Sequence, residues 1–256
     1  VSRVRRGEWA RCYLARPSAR RRLVCFPHAG GSASFFRPWV DALPDDVELW
    51  AVQYPGREDR FGEPHPADLG ELADRIAEDL APALDGPVTV FGHSMGASVG
   101  YEVTRGLLAR RPGAVERLVV SARPSPSHQR AARNDFHLRD EEALVAEIRV
   151  LGGAAPAVLD HPGLRALLLP VVREDFRLIE NYHPGPREPL PVPITALTGD
   201  ADPRVTGAQA AGWAEATRAG FRLVTFPGDH FYLVPHREEV VRLLAGGRPA
   251  EPPLPR

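Results

Sequence analysis

Six short apolar runs punctuate the chain at 21–26, 49–52, 87–91, 117–121, 192–197 and 221–226. Each is four to six residues long, rich in Val, Leu, Ile and Phe, and bounded by polar or Gly/Pro-containing segments. Such runs read as buried strands. A weaker one over 8–14 reads as an edge strand. Between them the apolar period changes. Leu69, Leu72, Ile76 and Leu80 recur at helical spacing, and 34–43, 97–109, 140–150, 206–216 and 237–244 also read as helices. Strands alternating with helices predict a mostly parallel central sheet covered on both faces, an α/β fold. The alternation stops after Ala122. No strand pattern occurs within 123–190, where a second helical stretch, 163–182, carries Leu164, Leu167, Leu168, Val171, Val172, Phe176 and Ile179. Pro170 predicts a kink or a split there. Five prolines between 184 and 193 close the segment. It reads as a helical lid inserted into one domain, 1–256, over the carboxyl end of the sheet. The Pro-rich tail, 246–256, is expected to be disordered.

Composition changes this picture little. The 256 residues suffice for one α/β domain, and 43% hydrophobic with 25% charged residues is ordinary for a globular chain. A net charge of −1 supplies no field to recruit nucleic acid or an anionic membrane. No apolar run approaches spanning length, no signal peptide opens the chain, and Cys12 and Cys25 form no metal or redox pattern. A cytoplasmic location is expected.

Candidate chemistry centres on Gly92-His93-Ser94-Met95-Gly96, between the 87–91 strand and the 97–109 helix. Gly-x-Ser-x-Gly in that context is the nucleophile elbow of α/β-hydrolases. A serine on so sharp a turn is strained, and neighbouring chain passes where side chains at Gly92 and Gly96 would sit. A serine hydroxyl needs a base, and the base needs an orienting acid. In this fold they follow in the order Ser, acid, His, in loops after late strands. Asp200 and Asp202 both follow the 192–197 strand, and Asp200 is the expected acid with Asp202 its competitor. His230, after the 221–226 strand, is the expected base. It alone among nine histidines has that placement. His93 should point along the sheet rather than at the serine. The oxyanion donors are expected to be the N–H groups of Met95, after the nucleophile, and Ala29, in the loop His28-Ala29-Gly30-Gly31. No Lys-Ser/Thr follows those glycines, which argues against phosphate cradling, and zinc-ligand spacings are absent. The 163–182 helix carries more apolar residues than one buried face needs. Phe176 is a candidate wall of a small apolar acyl chamber, and Phe35 and Phe176 are the candidate substrate-binding residues.

Five blocks in order make the match narrower: 26–33 (FPHAGGSA), 53–60 (QYPGREDR), 92–97 (GHSMGA), 197–202 (LTGDAD) and 226–231 (FPGDHF). Together they resemble the type II thioesterases that accompany polyketide synthases and nonribosomal peptide synthetases, from about residue 20 to 245. Asp229 departs from the glycine that often precedes the histidine in that family, and it sets a negative charge beside His230. The resemblance implies hydrolysis of stalled acyl groups from the phosphopantetheine arm of acyl or peptidyl carrier proteins. No cofactor or metal, and no nucleic-acid or membrane partner, is expected. The residues themselves leave two other classes open: a carboxylesterase or acyltransferase on the same triad, and a binding protein that kept the fold.

Overall fold

The apolar runs build an eight-stranded sheet in the order β1-β2-β4-β3-β5-β6-β7-β8. The strands are β1 Val4–Arg6, β2 Ala10–Cys12, β3 Arg21–Phe26, β4 Val47–Val52, β5 Val88–His93, β6 Val115–Ser121, β7 Ile194–Gly199 and β8 Phe221–Phe226. The computed structural model describes residues 4–131, 134–152 and 159–246. β3 to β8 are mutually parallel, whereas β1 and β2 pair antiparallel to each other and β2 antiparallel to β4. The single edge strand expected over 8–14 is therefore part of a hairpin that begins upstream of it, turning through Gly7 at φ 74°.

Helices α1 Leu69–Ala83 and α2 Met95–Arg110 cover one face, together with Trp213, and a 3-10 helix Ala33–Ala42 and helix α7 Arg237–Leu244 cover the other. The period of two along each strand assigns side chains to the two layers. Val24, Val90, Leu118 and Val120 belong to the first core, and Leu23, Cys25, Phe91 and Val119 to the second. Burying each such aliphatic or aromatic side chain contributes roughly 1.5–3 kcal/mol. α1 begins where Asp68 accepts from the Glu71 N–H at 2.8 Å, and it buries Leu69, Leu72, Ile76 and Leu80, the stripe read from the sequence.

After β6 the chain forms α3 Pro126–Ala131, α4 Glu141–Leu151 and α5 Pro162–Glu180. α4 and α5 share a small core of their own, Leu144, Val145, Ile148, Leu169 and Val172 among it. Pro170 does not split α5. It lies on the exposed side, as does Ala166, so the carbonyl left without its helical partner is open to water. Two expected α-helices differ in kind. The 34–43 segment is 3-10, and 206–216 divides into α6 Gly207–Ala211 and a 3-10 turn Gly212–Ala216. The tail beyond Gly246 lies outside the described residues. Among the described residues no helix is long and apolar enough to cross a membrane.

Candidate active site

The carboxyl ends of β3, β5, β6, β7 and β8 meet beneath the helical insertion, around a cavity of about 400 Å³. Ser94 stands at its floor, at φ 55°, in the turn from β5 into α2. The two glycines are required by contact. A Cβ on Gly92 would lie 2.0 Å from the carbonyl oxygen of Gly96, and one on Gly96 would lie 2.1 Å from that of Phe26. Ser94 is held through its N–H, which donates to Ser121 O at 2.8 Å. A non-glycine residue in this region costs of order 1–3 kcal/mol, and the surrounding bonds sustain it.

His230 Nε2 lies 3.0 Å from Ser94 Oγ, and His230 Nδ1 lies 2.8 Å from Asp202 Oδ2. The expected acid is therefore corrected: Asp202, not Asp200, meets the histidine. The side chain of Asp202 is fully buried, and its other oxygen accepts from the N–H groups of Arg204 at 2.8 Å and Val205 at 3.2 Å. Asp200 is exposed and bonds elsewhere, its Oδ1 accepting from the Gly228 N–H at 2.9 Å. Asp200 ties the β7 loop to the β8 loop, while Asp202, two residues on, reaches the imidazole. Asp229 turns to its own loop, accepting from the Phe231 N–H at 2.8 Å.

Two further histidines flank the base. His93 is buried, with Nδ1 2.9 Å from Ser121 Oγ, and Ser121 Oγ is 2.6 Å from the Tyr232 hydroxyl. Its ring centroid is 5.3 Å from that of His230, so it lies beside the base, with its Nδ1 turned to Ser121. Desolvation, with the nearby His230 and His28, holds its pKa well below the ordinary value. His28 packs against Phe35 and Phe231, and burial, then His230 and Arg57, pushes its pKa down to about 3. Both rings are neutral near pH 7, so neither opposes a positive charge forming on His230.

The 28–31 loop lies against the elbow, and Ala29 and Met95 line the cavity with Ser94. Among the described residues neither the Ala29 nor the Met95 N–H has a protein acceptor. Met95 opens α2, where free N–H groups and the helix dipole favour negative charge. The loop is pinned from two sides. Asp175 on α5, 1% exposed, accepts from the Gly30 N–H at 2.7 Å and takes both arms of Arg57, Nη1 at 2.6 Å and Nη2 at 2.7 Å. Arg57 Nη1 also donates to Gly31 O at 3.0 Å. Val172 packs on Gly30 so closely that a Cβ there would meet it at 2.6 Å. Sequence reasoning missed Asp175 as a functional residue. Its signal was a carboxylate within the apolar stripe formed by Val172, Leu178 and Ile179.

Phe35 and Phe176 both line the cavity, as expected. The chamber, however, is not simply apolar. Arg123, Gln129, Glu180 and Gln209 face it too. Among the described residues no cluster of three or more His, Cys, Asp or Glu could hold a metal ion.

An α/β-hydrolase fold and a serine–histidine–aspartate array lining a capped cavity define the class as a serine hydrolase. The family model for the thioesterase domain matches residues 21–246, and the chain belongs to that family. Its relatives include a probable cadicidin biosynthesis thioesterase of Streptomyces griseus, 42% identical over 91% of this chain and 64% of that one. They also include the thioesterase PikA5 of Streptomyces venezuelae, 40% identical over 89% of this chain and 80% of that one. The chain thus spans less than two thirds of the Streptomyces griseus protein. Among solved structures, the type II thioesterase BorB from the borrelidin biosynthetic cluster is 41% identical, with a TM-score of 0.83 over 93% of this chain and 96% of that one.

Proposed function

We propose that this chain is an editing thioesterase, which hydrolyses acyl groups from the phosphopantetheine arm of acyl or peptidyl carrier proteins in polyketide or nonribosomal peptide assembly. The observation that carries the reading is the continuous array Ser94 Oγ–His230 Nε2, His230 Nδ1–Asp202 Oδ2, at 3.0 and 2.8 Å. Ser94 Oγ attacks the thioester carbonyl as its proton passes to His230 Nε2. Asp202 keeps the Nδ1–H side of the ring fixed and stabilises the imidazolium. The oxyanion forms against the N–H groups of Met95 and Ala29. The C–S bond breaks, and the departing sulfur takes the proton from His230. Water then attacks the acyl-serine, giving its proton to His230, and the second intermediate collapses to free acid and Ser94. The names of the relatives, thioesterases of antibiotic biosynthesis, support a carrier-bound substrate.

The test is hydrolysis of acyl-pantetheine and acyl carrier-protein thioesters beside p-nitrophenyl esters of the same acids. Thioesters are expected to turn over, releasing free acid, and Ser94→Ala to lose on the order of 10⁴-fold or more in kcat. Turnover of oxygen esters alone, transfer of the acyl group to an acceptor other than water, or a fully active Ser94→Ala protein would overturn the reading.

A further inference from the structure

The cavity has two unlike walls. Leu168, Val172 and Phe176 on α5 give an apolar one, and Arg123 and Gln129, from the β6 end and α3, a polar one, with Glu180 a turn beyond Phe176 on α5. Arg123 leaves the carboxyl end of β6 directly after Ala122, a non-glycine residue at φ 49°. Its backbone is fixed where the Trp213 indole N–H donates to Arg123 O at 2.8 Å. Its Nε donates to Ser98 Oγ and its Nη2 to Gln129 Oε1, each at 3.0 Å. Those two partners are themselves locked, Ser98 Oγ donating to Gln129 Oε1 at 2.9 Å and Gln129 Nε2 to Pro124 O at 2.5 Å.

A guanidinium has five N–H donors, and this network takes two. Among the described residues the Nη1 group and the second Nη2 hydrogen have no protein acceptor, and no carboxylate lies within ion-pair distance of Arg123. Burial lowers its pKa to about 10, which still leaves it charged near neutrality. Arg123 is half-buried, and its open donors are not sealed from solvent; an occupant that displaces water from them without supplying an acceptor leaves them unfilled at a cost. Glu180 acts on it through the cavity, but that carboxylate is committed to the N–H groups of Phe136 and His137 at 3.0 Å and to His137 Nδ1 at 2.5 Å. Its charge in the same space works against a second anion. Ser98 follows Ser94 by one helical turn, a rise of about 6 Å. Arg123 Nε is therefore held beside the first turn of α2, the helix that Ser94 opens.

Building on the thioester reading, we propose that Arg123 selects acyl chains that carry a neutral oxygen acceptor, a hydroxyl or ketone, beyond the thioester carbonyl. The apolar wall takes the hydrocarbon between the oxygens, and Arg123 takes the oxygen. Unsubstituted chains leave its donors unfilled and are the poorer substrates.

The test uses matched six-carbon chains on pantetheine: hexanoyl, 3-hydroxyhexanoyl and 5-hydroxyhexanoyl, with succinyl as an anionic arm. Wild-type protein is expected to favour one of the hydroxylated chains. Arg123→Met should lower the ratio of its kcat/KM to that of hexanoyl by about 10–100-fold, and Arg123→Lys by less. Equal losses on plain and hydroxylated chains would make Arg123 structural and overturn the proposal, and a succinyl preference abolished by Arg123→Met would replace the neutral oxygen with an anion. Should Arg123→Met fail to fold, calorimetric Kd values for the same thioesters on Ser94→Ala protein decide it, equal affinities being the adverse result. The same ratios on p-nitrophenyl esters separate this proposal from the thioester reading. Should thioesters resist hydrolysis while esters retain the Arg123-dependent ratio, only the thioester reading falls.

Discussion

Asp200 and Asp202 are two residues apart in a single loop and have different duties. Asp202→Asn is expected to reduce kcat by about 10⁴-fold, because the amide cannot stabilise the imidazolium and favours the wrong tautomer. Asp200→Asn should cost little in kcat and should show instead as a modest loss of melting temperature, since it ties two loops. Kinetics on the two purified variants check this, and the reverse order would refute the assignment. Sequence could place an acid after β7 but could not choose between these two. The choice depends on how the chain turns after Gly199, and that turn is fixed by the neighbouring 227–231 loop. A Cβ on Gly199 would lie 2.3 Å from Asp229 O. His28 and His93 make a second prediction. Below about pH 6.5 the unfolded chain takes protons at both, while the folded protein refuses one at His28 until about pH 3 and one at His93 until well below 6.5. Unfolded protein therefore binds more protons, and stability rises with pH through this window and falls as pH is lowered. The slope approaches about 1.4 kcal/mol per pH unit for each histidine. Urea unfolding at pH 7 and pH 5 measures it, and His93→Asn should flatten the dependence. An unchanged slope would mean the ring is not held neutral.

At the level of elements, α5 matters most for what it holds. The bidentate Arg57–Asp175 pair joins it to the 53–61 loop, and the Gly30 N–H joins it to the 28–31 loop, the proposed oxyanion site. Removing one partner of such a buried pair costs about 3–5 kcal/mol, because the other is left charged and desolvated. Asp175→Asn keeps the shape and one acceptor but removes the anion. It is expected to lower the melting temperature and to reduce kcat by about 10–100-fold with a smaller change in KM, as loss of an oxyanion donor's placement does. A fall in melting temperature with kcat intact would reduce Asp175 to a purely structural role. The helix was legible from its apolar period, and its start and end fell within two residues of the expected ones. Its continuity through Pro170 was not, because proline's penalty depends on whether the released carbonyl faces water, and exposure belongs to the packed molecule. The 3-10 character of Ala33–Ala42, which has Pro38 inside it, was hidden for a similar reason. Apolar spacing over ten residues hardly distinguishes the two helix types.

On the scale of the whole molecule, the sheet was readable because each buried strand is a continuous apolar run and each covering helix keeps its own period. The cavity was not. Its walls come from the ends of five strands, from α3, α4, α5 and α6 and from the 3-10 helix Ala33–Ala42, so its mixed polarity arises only when residues as far apart as Phe35, Arg123, Phe176 and Gln209 are brought together. The Asp175–Gly30 bond has one more consequence, and it is a matter of thermodynamic reciprocity. If α5 steadies the loop that receives the oxyanion, then whatever occupies that loop steadies α5 by the same free energy. A fluorophosphonate attached to Ser94 presents such an oxygen permanently. Amide hydrogens of α5 should then exchange more slowly in labelled than in unlabelled protein, those of α1 should exchange as before, and Asp175→Asn should erase the difference. Equal exchange in α5 with and without the label would show that the two ends of this contact keep separate accounts.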